Sequence, residues 1–177
     1  LSYQWRKNGL NISGATNSSY AASASGNYKV VVTNSNNCID SSSAVNVTVN
    51  SLPSATATPA SATTFCQGGS VSINANTGTG LSYQWRKNGS NISGATNSAY
   101  AASATGSYKV VVTNANNCID SSSAVNVTVN SLPSATATPA SATTFCQGGS
   151  VTINANTGTG LSYQWRKNGL NISGATN

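Results

Sequence analysis

Cysteine is the residue type in this chain whose chemistry and spacing stand out. Cys38 and Cys118 each follow an Asn-Asn pair, and Cys66 and Cys146 each follow Thr-Thr-Phe and precede a Gly turn. Thiols placed this regularly point to disulfides in an oxidising compartment. Zinc is the weaker reading, because there is no His, no CxxC pair and no second ligand cluster. Other chemistry is short of parts. With no His and only Asp40 and Asp120 as acids, general acid-base catalysis and a calcium cage both lack the residues they need. The serines have no His or buried Lys to activate them. Thr77-Gly78-Thr79-Gly80 looks like a phosphate loop only weakly, since no helix pattern follows it, and reads as a link between strands. Asn-x-Ser/Thr triplets at Asn11, Asn46, Asn91, Asn126 and Asn171 fit glycosylation but are expected by chance in so Asn- and Ser-rich a chain. No enzyme, no cofactor and no metal are expected.

These residues recur because the whole chain does. LSYQWRKNG starts at Leu1, Leu81 and Leu161, a period of 80 residues. Residues 1–52 differ from 81–132 only at Leu10/Ser90, Ser19/Ala99, Ser25/Thr105, Asn27/Ser107 and Ser35/Ala115, and 53–97 differ from 133–177 only at Ser72/Thr152 and Ser90/Leu170. Solenoid units run to roughly 20–50 residues, whereas about 80 suffice for a small independent domain. The expected organisation is the rear of one domain in 1–52, a complete domain in 53–132 and the front of a third in 133–177. Two partial pieces of this kind fit an excerpt from a longer repetitive protein better than head-to-tail copies that complete one another. A catalytic site is normally needed once, while a spacer or a multivalent binder gains from repetition.

Charged residues make up 6% of the chain, with a net charge of +6, against roughly 25% charged in ordinary soluble domains. Arg86, Lys87 and Lys109 carry the excess in each repeat, too sparsely for the basic stripe of a nucleic-acid binder. No nucleic-acid partner is expected, and no apolar run approaches the ~20 residues that cross a membrane. Polar low-charge composition also suits disorder, but alternating strands argue against it.

Only period-2 patterns occur. Val71, Ile73 and Ala75 share one face, as do Leu81, Tyr83 and Trp85, then Tyr108, Val110 and Val112, then Val125, Val127 and Val129. Gln67-Gly68-Gly69-Ser70, Asn88-Gly89, Ser93-Gly94 and Asn114-Ala115-Asn116-Asn117 supply turns between them. Short strands with one apolar face each imply two antiparallel sheets packed face to face. Tyr83, Trp85 and Arg86 offer an aromatic and basic platform for a sugar or a base, but alternation sends Tyr83 and Trp85 into the core and leaves Arg86 outside.

Pro59, the Gly turn, the Val-x-Ile strand, Tyr83-Gln84-Trp85-Arg86-Lys87-Asn88-Gly89 and Gly106-Ser107-Tyr108-Lys109-Val110 together resemble an immunoglobulin domain. The resemblance implies that Pro59 splits the first strand, that Trp85 is the buried Trp of strand C and that Tyr108 is the tyrosine corner. Antibody domains place inter-sheet cysteines where this chain has Ala75 and Val110, so packing of Trp85 with Ile73, Val110 and Val127 must hold the core instead. The spelling, from Thr64-Phe65-Cys66-Gln67-Gly68-Gly69-Ser70-Val71 to Asn117-Cys118, also resembles tandem immunoglobulin-like repeats of giant Bacteroidota surface proteins of the gliding-motility adhesin type. That resemblance implies a secreted cell-surface fibre exported by the type IX route. Its partners are then neighbouring repeats end to end and sister fibres side to side, with weak multivalent contact to a glycan or surface as the alternative use. Only Pro59 and the Lys109-type charges are expected to guard sheet edges.

In such a sandwich Cys66 lies at one end and Cys118 at the other, separated by a strand of roughly 17–20 Å, against the ~4.4–6.8 Å between Cα atoms that a disulfide spans. Three outcomes stay open: a bond from the Cys66 type to the hairpin Cys of the following domain, a bond between Cys66 and Cys118 through an unusual bend, and free thiols. Pro133 shortens and stiffens the link that runs from Val129 to Ser134, favouring a straight rod.

Overall fold

Period-2 runs become strands wherever a partner strand lies beside them. The computed structural model describes residues 1–176, and every regular element is a strand. β1 (Ser2–Lys7), β2 (Leu10–Asn11), β3 (Gly26–Thr33), β4 (Ile39–Ser41) and β5 (Val45–Val47) form one sheet in the order β2-β1-β3-β4, with β5 also on β3. The central segment holds β6 (Ala57–Pro59), β7 (Thr64–Cys66), β8 (Val71–Ala75), β9 (Ser82–Lys87), β10 (Ser90–Asn91), β11 (Ala99–Ala102), β12 (Gly106–Thr113), β13 (Ile119–Ser121) and β14 (Val125–Asn130). These make two sheets, β10-β9-β12-β14-β7 with β13 on β12, and β11-β8-β6. β15 (Ala137–Pro139) pairs with β16 (Ile153–Ala155), and β17 (Arg166–Lys167) with β18 (Leu170–Asn171).

The two central sheets close on one another through the residues that alternation points inward. Val71, Ile73, Ala75, Trp85, Ala102, Tyr108, Val110, Val112 and Val127 form one buried cluster, with Leu81, Tyr83, Val125 and Val129 packed at its margin. Trp85 faces Val110 across the β9–β12 ladder and is fully buried, its Nε1 donating to the Asn97 carbonyl at 2.9 Å. Tyr100 then bridges two large rings, 5.9 Å from Trp85 and 5.7 Å from Tyr108 between centroids. Such tilted aromatic contacts add to area burial. The Tyr108 hydroxyl donates to the Ala104 carbonyl, four residues upstream, at 2.8 Å.

Pro59 ends β6 on the β8 side of the sandwich, and the chain then crosses to run β7 parallel to β14 in the opposite sheet. A first strand shared between both sheets, a buried Trp on the third and a Tyr corner on the strand beside it make this an immunoglobulin-like β-sandwich. The hairpin between β9 and β10 turns on Asn88 (φ 50°) and Gly89 (φ 85°), the left-handed pair that suits a two-residue turn.

Two features depart from the sequence expectation. Between Val111↔Ser121 and Tyr108↔Val125 three steps on β12 face four on its partner, a β-bulge. Buried Ser122 repairs the ladder there: its N–H donates to Val110 O at 3.0 Å and its Oγ accepts from Val110 N at 3.1 Å. Lys109 does not guard an edge, because β12 is interior, with β9 on one side and β13 and β14 on the other. The edges are instead β10, β13, β7, β11 and β6, of two to four residues each, and shortness is itself a defence against edge pairing.

Trp85→Ala is expected to destabilise the central sandwich by about 3–5 kcal/mol through lost burial and a cavity. The check is the denaturant midpoint; a shift no larger than that of the half-buried counterpart Trp5→Ala overturns the assignment.

Candidate functional site

The residues singled out from sequence sit in separate places. Trp85 and Tyr108 are core. Cys38 lies in the hairpin between β3 and β4, Cys118 in the matching hairpin between β12 and β13, Cys66 at the end of β7 and Cys146 in the turn that follows Phe145. All four thiols are free; Cys118 is half-buried and the others exposed. Cys66 is paired in register with Asn130, at the far end of β14 from the Cys118 hairpin. The eight residues of β12 lie between the two ends, roughly 23 Å at ~3.3 Å per residue. A bond between Cys66 and Cys118 is therefore excluded by the sandwich itself.

The link between β5 and β6 is irregular backbone held by side-chain amides. Its anchor on the central sandwich is Asn76, whose Nδ2 donates to Ser54 O and whose Oδ1 accepts from Thr56 N, both at 2.9 Å. Asn76 is in turn fixed by Tyr83, whose hydroxyl donates to its carbonyl at 2.9 Å. A second hold, at the same end of the central sandwich, comes from the neighbouring hairpin of Asn114. Its Oδ1 accepts from Asn116 N and Cys118 N at 3.0 Å, which makes the hairpin rigid, and its Nδ2 donates to Ser51 O at 2.9 Å. Cys118 Sγ lies 3.8 Å from Asn50 O. Pro53, between these contacts, is buried. The link is thus held at four points from Asn50 to Thr56.

The following link, after β14, shows the half of this arrangement that belongs to its own segment. Asn156 Oδ1 accepts from Thr136 N at 2.9 Å and Tyr163 donates to Asn156 O at 2.8 Å, while Pro133 stays exposed. Neither Asn76 nor Asn114 stood out in the sequence, where Asn114 is only one residue of a turn and Asn76 follows a strand without any motif. Their recurrence at fixed distance from Tyr83 and Cys118 was the available signal.

Elsewhere the surface offers little. None of Phe65, Tyr83, Trp85, Tyr100 and Tyr108 is exposed, so the aromatic platform does not exist. Arg86 lines a shallow concavity of about 430 Å³ with Asn88, Lys109 and Ser121, but its Nε already donates to Asn91 Oδ1 at 2.8 Å. Among the described residues no group of His, Cys, Asp or Glu is placed to hold a metal ion, and no helix is long and apolar enough to cross a membrane.

No protein-family model matches the chain, and no curated protein matches it in sequence. Among solved structures it is similar to the fibronectin(III)-like modules of Clostridium thermocellum CbhA, at 15% identity over 72% of this chain and 78% of that one, with a TM-score of 0.37. It is also similar to the tandem Ig repeats of Dlar, at 18% identity over 74% and 83% with a TM-score of 0.36, and to murine CEACAM1b, at 14% identity over 73% and 85% with a TM-score of 0.39.

Two outcomes are expected. In Asn76→Ala, amide exchange at Thr56 accelerates by roughly tenfold, the worth of a hydrogen bond of about 1.4 kcal/mol, while exchange in β12 is unchanged; mass spectrometry or NMR reads both. Burial also raises the Tyr108 phenol above its ordinary 10.0. Because the folded state holds this proton more tightly, its contribution to stability is complete below pH 10 and falls as pH climbs through the raised value. The stability difference between the parent and Tyr108→Phe is therefore flat up to about pH 10 and shrinks above it, as denaturant titrations across pH would record.

Proposed function

We propose that the chain is a segment of an extracellular structural array, in which immunoglobulin-like domains, one per 80-residue period, stack end to end as the shaft of a cell-surface fibre. The clamped link carries this reading. A free linker of seven residues samples a broad cone, whereas Asn50 to Thr56 is held against one end of the central sandwich by Asn76, Asn114 and Cys118. Its partners are adjoining repeats. Side-to-side pairing has little backbone to use, since the edge strands are short. A polar skin nearly free of charge suits a spacer, because salt and neutral pH leave it unaltered.

Multivalent binding to an anionic glycan is the second reading. Its support is the concavity beside Arg86 and Lys109 on the central sandwich; the Arg-Lys pair beside it recurs at Arg6-Lys7 and Arg166-Lys167, so that weak contacts would multiply by avidity. The lack of an exposed aromatic on the central sandwich favours the shaft.

Small-angle scattering on chains lengthened by one, two and three periods separates the two uses. A clamped shaft adds a constant increment per period, at least the roughly 23 Å spanned by the eight residues of β12, whereas flexible links give growth with the square root of length. Square-root growth, or retention on a sulfated-glycan column, moves the assignment to the binding reading.

A further inference from the structure

The Cys66-type and Cys118-type thiols lie at one equivalent backbone position, each brought there by a different repeat. On the Cys66 side, Asn130 is its register partner on the parallel neighbour β14, and Gln67 N donates to Asn130 O at 2.8 Å. Partners across such a ladder lie about 4.8 Å apart. Phe65 turns inward, so alternation sends Cys66 outward, where it is exposed. On the Cys118 side, Sγ lies 3.8 Å from Asn50 O. Asn50 and Asn130 are one position, 80 residues apart. Superposing the two halves by the period brings a Cys66-type thiol and a Cys118-type thiol to one carbonyl, with the Cys118 hairpin held there by the Asn114 contact to Ser51.

We propose that each junction between complete repeats is a cross-linking site, joining the Cys66-type thiol of one repeat to the Cys118-type thiol of the next. The proposal rests on the end-to-end stacking above. Formation uses a small-molecule disulfide as oxidant. The Cys118 thiolate attacks one of its sulfurs and expels a thiolate; the Cys66-type thiolate then attacks the Cys118 sulfur of the mixed disulfide and expels the second. One S–S bond is broken and one net S–S bond formed, and the two protons lost by the protein thiols go to the two small thiols released. Within residues 1–177 each thiol faces a position whose partner thiol lies a further repeat away, which accounts for four free cysteines.

The test is the full chain preceded by a second copy of residues 53–80, which supplies the front of the first repeat and one new Cys66-type thiol. After oxidation with oxidised glutathione and tryptic cleavage without reductant, the peptide holding the new thiol is expected on the peptide of residues 110–166, which contains Cys118 and Cys146. Cys118→Ser removes this link completely and Cys146→Ser leaves it intact, with Cys38, Cys66 and Cys146 open to alkylation in the parent. A link from the new thiol to the peptide of residues 30–86, which holds Cys38 and Cys66, overturns the proposal. So does full alkylation of every thiol after oxidation. Scattering on the same sample tells the two failures apart: no link with an unchanged maximum dimension sinks the cross-link alone, and no link with a collapsed dimension sinks the stacking as well.

Discussion

Burial of Trp85 between two sheets is the constraint on which the rest of the structure depends. The indole needs β9 and β12 beneath it and β8 and β11 above, and the chain contains a natural control. Trp5 has the same neighbours in sequence, the same Nε1 bond, to Asn17 O at 3.0 Å, and the same stacking on a tyrosine, Tyr20, at 5.9 Å. Yet Trp5 is only half-buried and Tyr20 is 36% exposed, because no second sheet covers β1 and β3 among the described residues. Local hydrogen bonds and ring contacts therefore form without the sandwich; desolvation does not, and desolvation is the larger energy.

The same comparison separates what is written locally from what is not. The inward faces of β8, β9, β12 and β14 were legible because period-2 alternation survives in short runs. The split of the first strand at Pro59 was legible only through the resemblance to an immunoglobulin domain. Strand β11 was not: Ala99–Ala102 pairs with β8, while Ser19–Ala22, nearly the same residues, forms no strand where that partner is missing. Strand propensity here is a property of the neighbour. Tyr100 was overlooked for that reason, although it joins Trp85 to Tyr108. The bulge at Ser122 was hidden because a serine between serines carries no hydropathy signal, and only its burial reveals that the hydroxyl stands in for a ladder bond.

The junction was half legible. Pro133 and the brevity of the link pointed to stiffness, and a rigid link follows from Asn76 and Asn114 by a route that sequence does not display. A side-chain amide both donates and accepts, so one Asn caps two backbone groups at once, and asparagine in loops is too common for its special positions to stand out. With hardly any charge available, amides do the work that ion pairs do on other protein surfaces, and they do it without dependence on salt.

The crossing of the first strand from one sheet to the other has a mechanical consequence. β7, the second half of the strand that enters the central sandwich, runs parallel to β14, which leaves it, and the two are tied by Gln67 N to Asn130 O and Thr128 N to Thr63 O, both at 2.8 Å. Tension along the chain pulls β7 backward and β14 forward along the same axis. The bonds between them are loaded together, in shear, and cannot be opened one at a time as the teeth of a zip are. A sandwich tied in this way resists a steady pull at its ends better than it resists peeling of an edge.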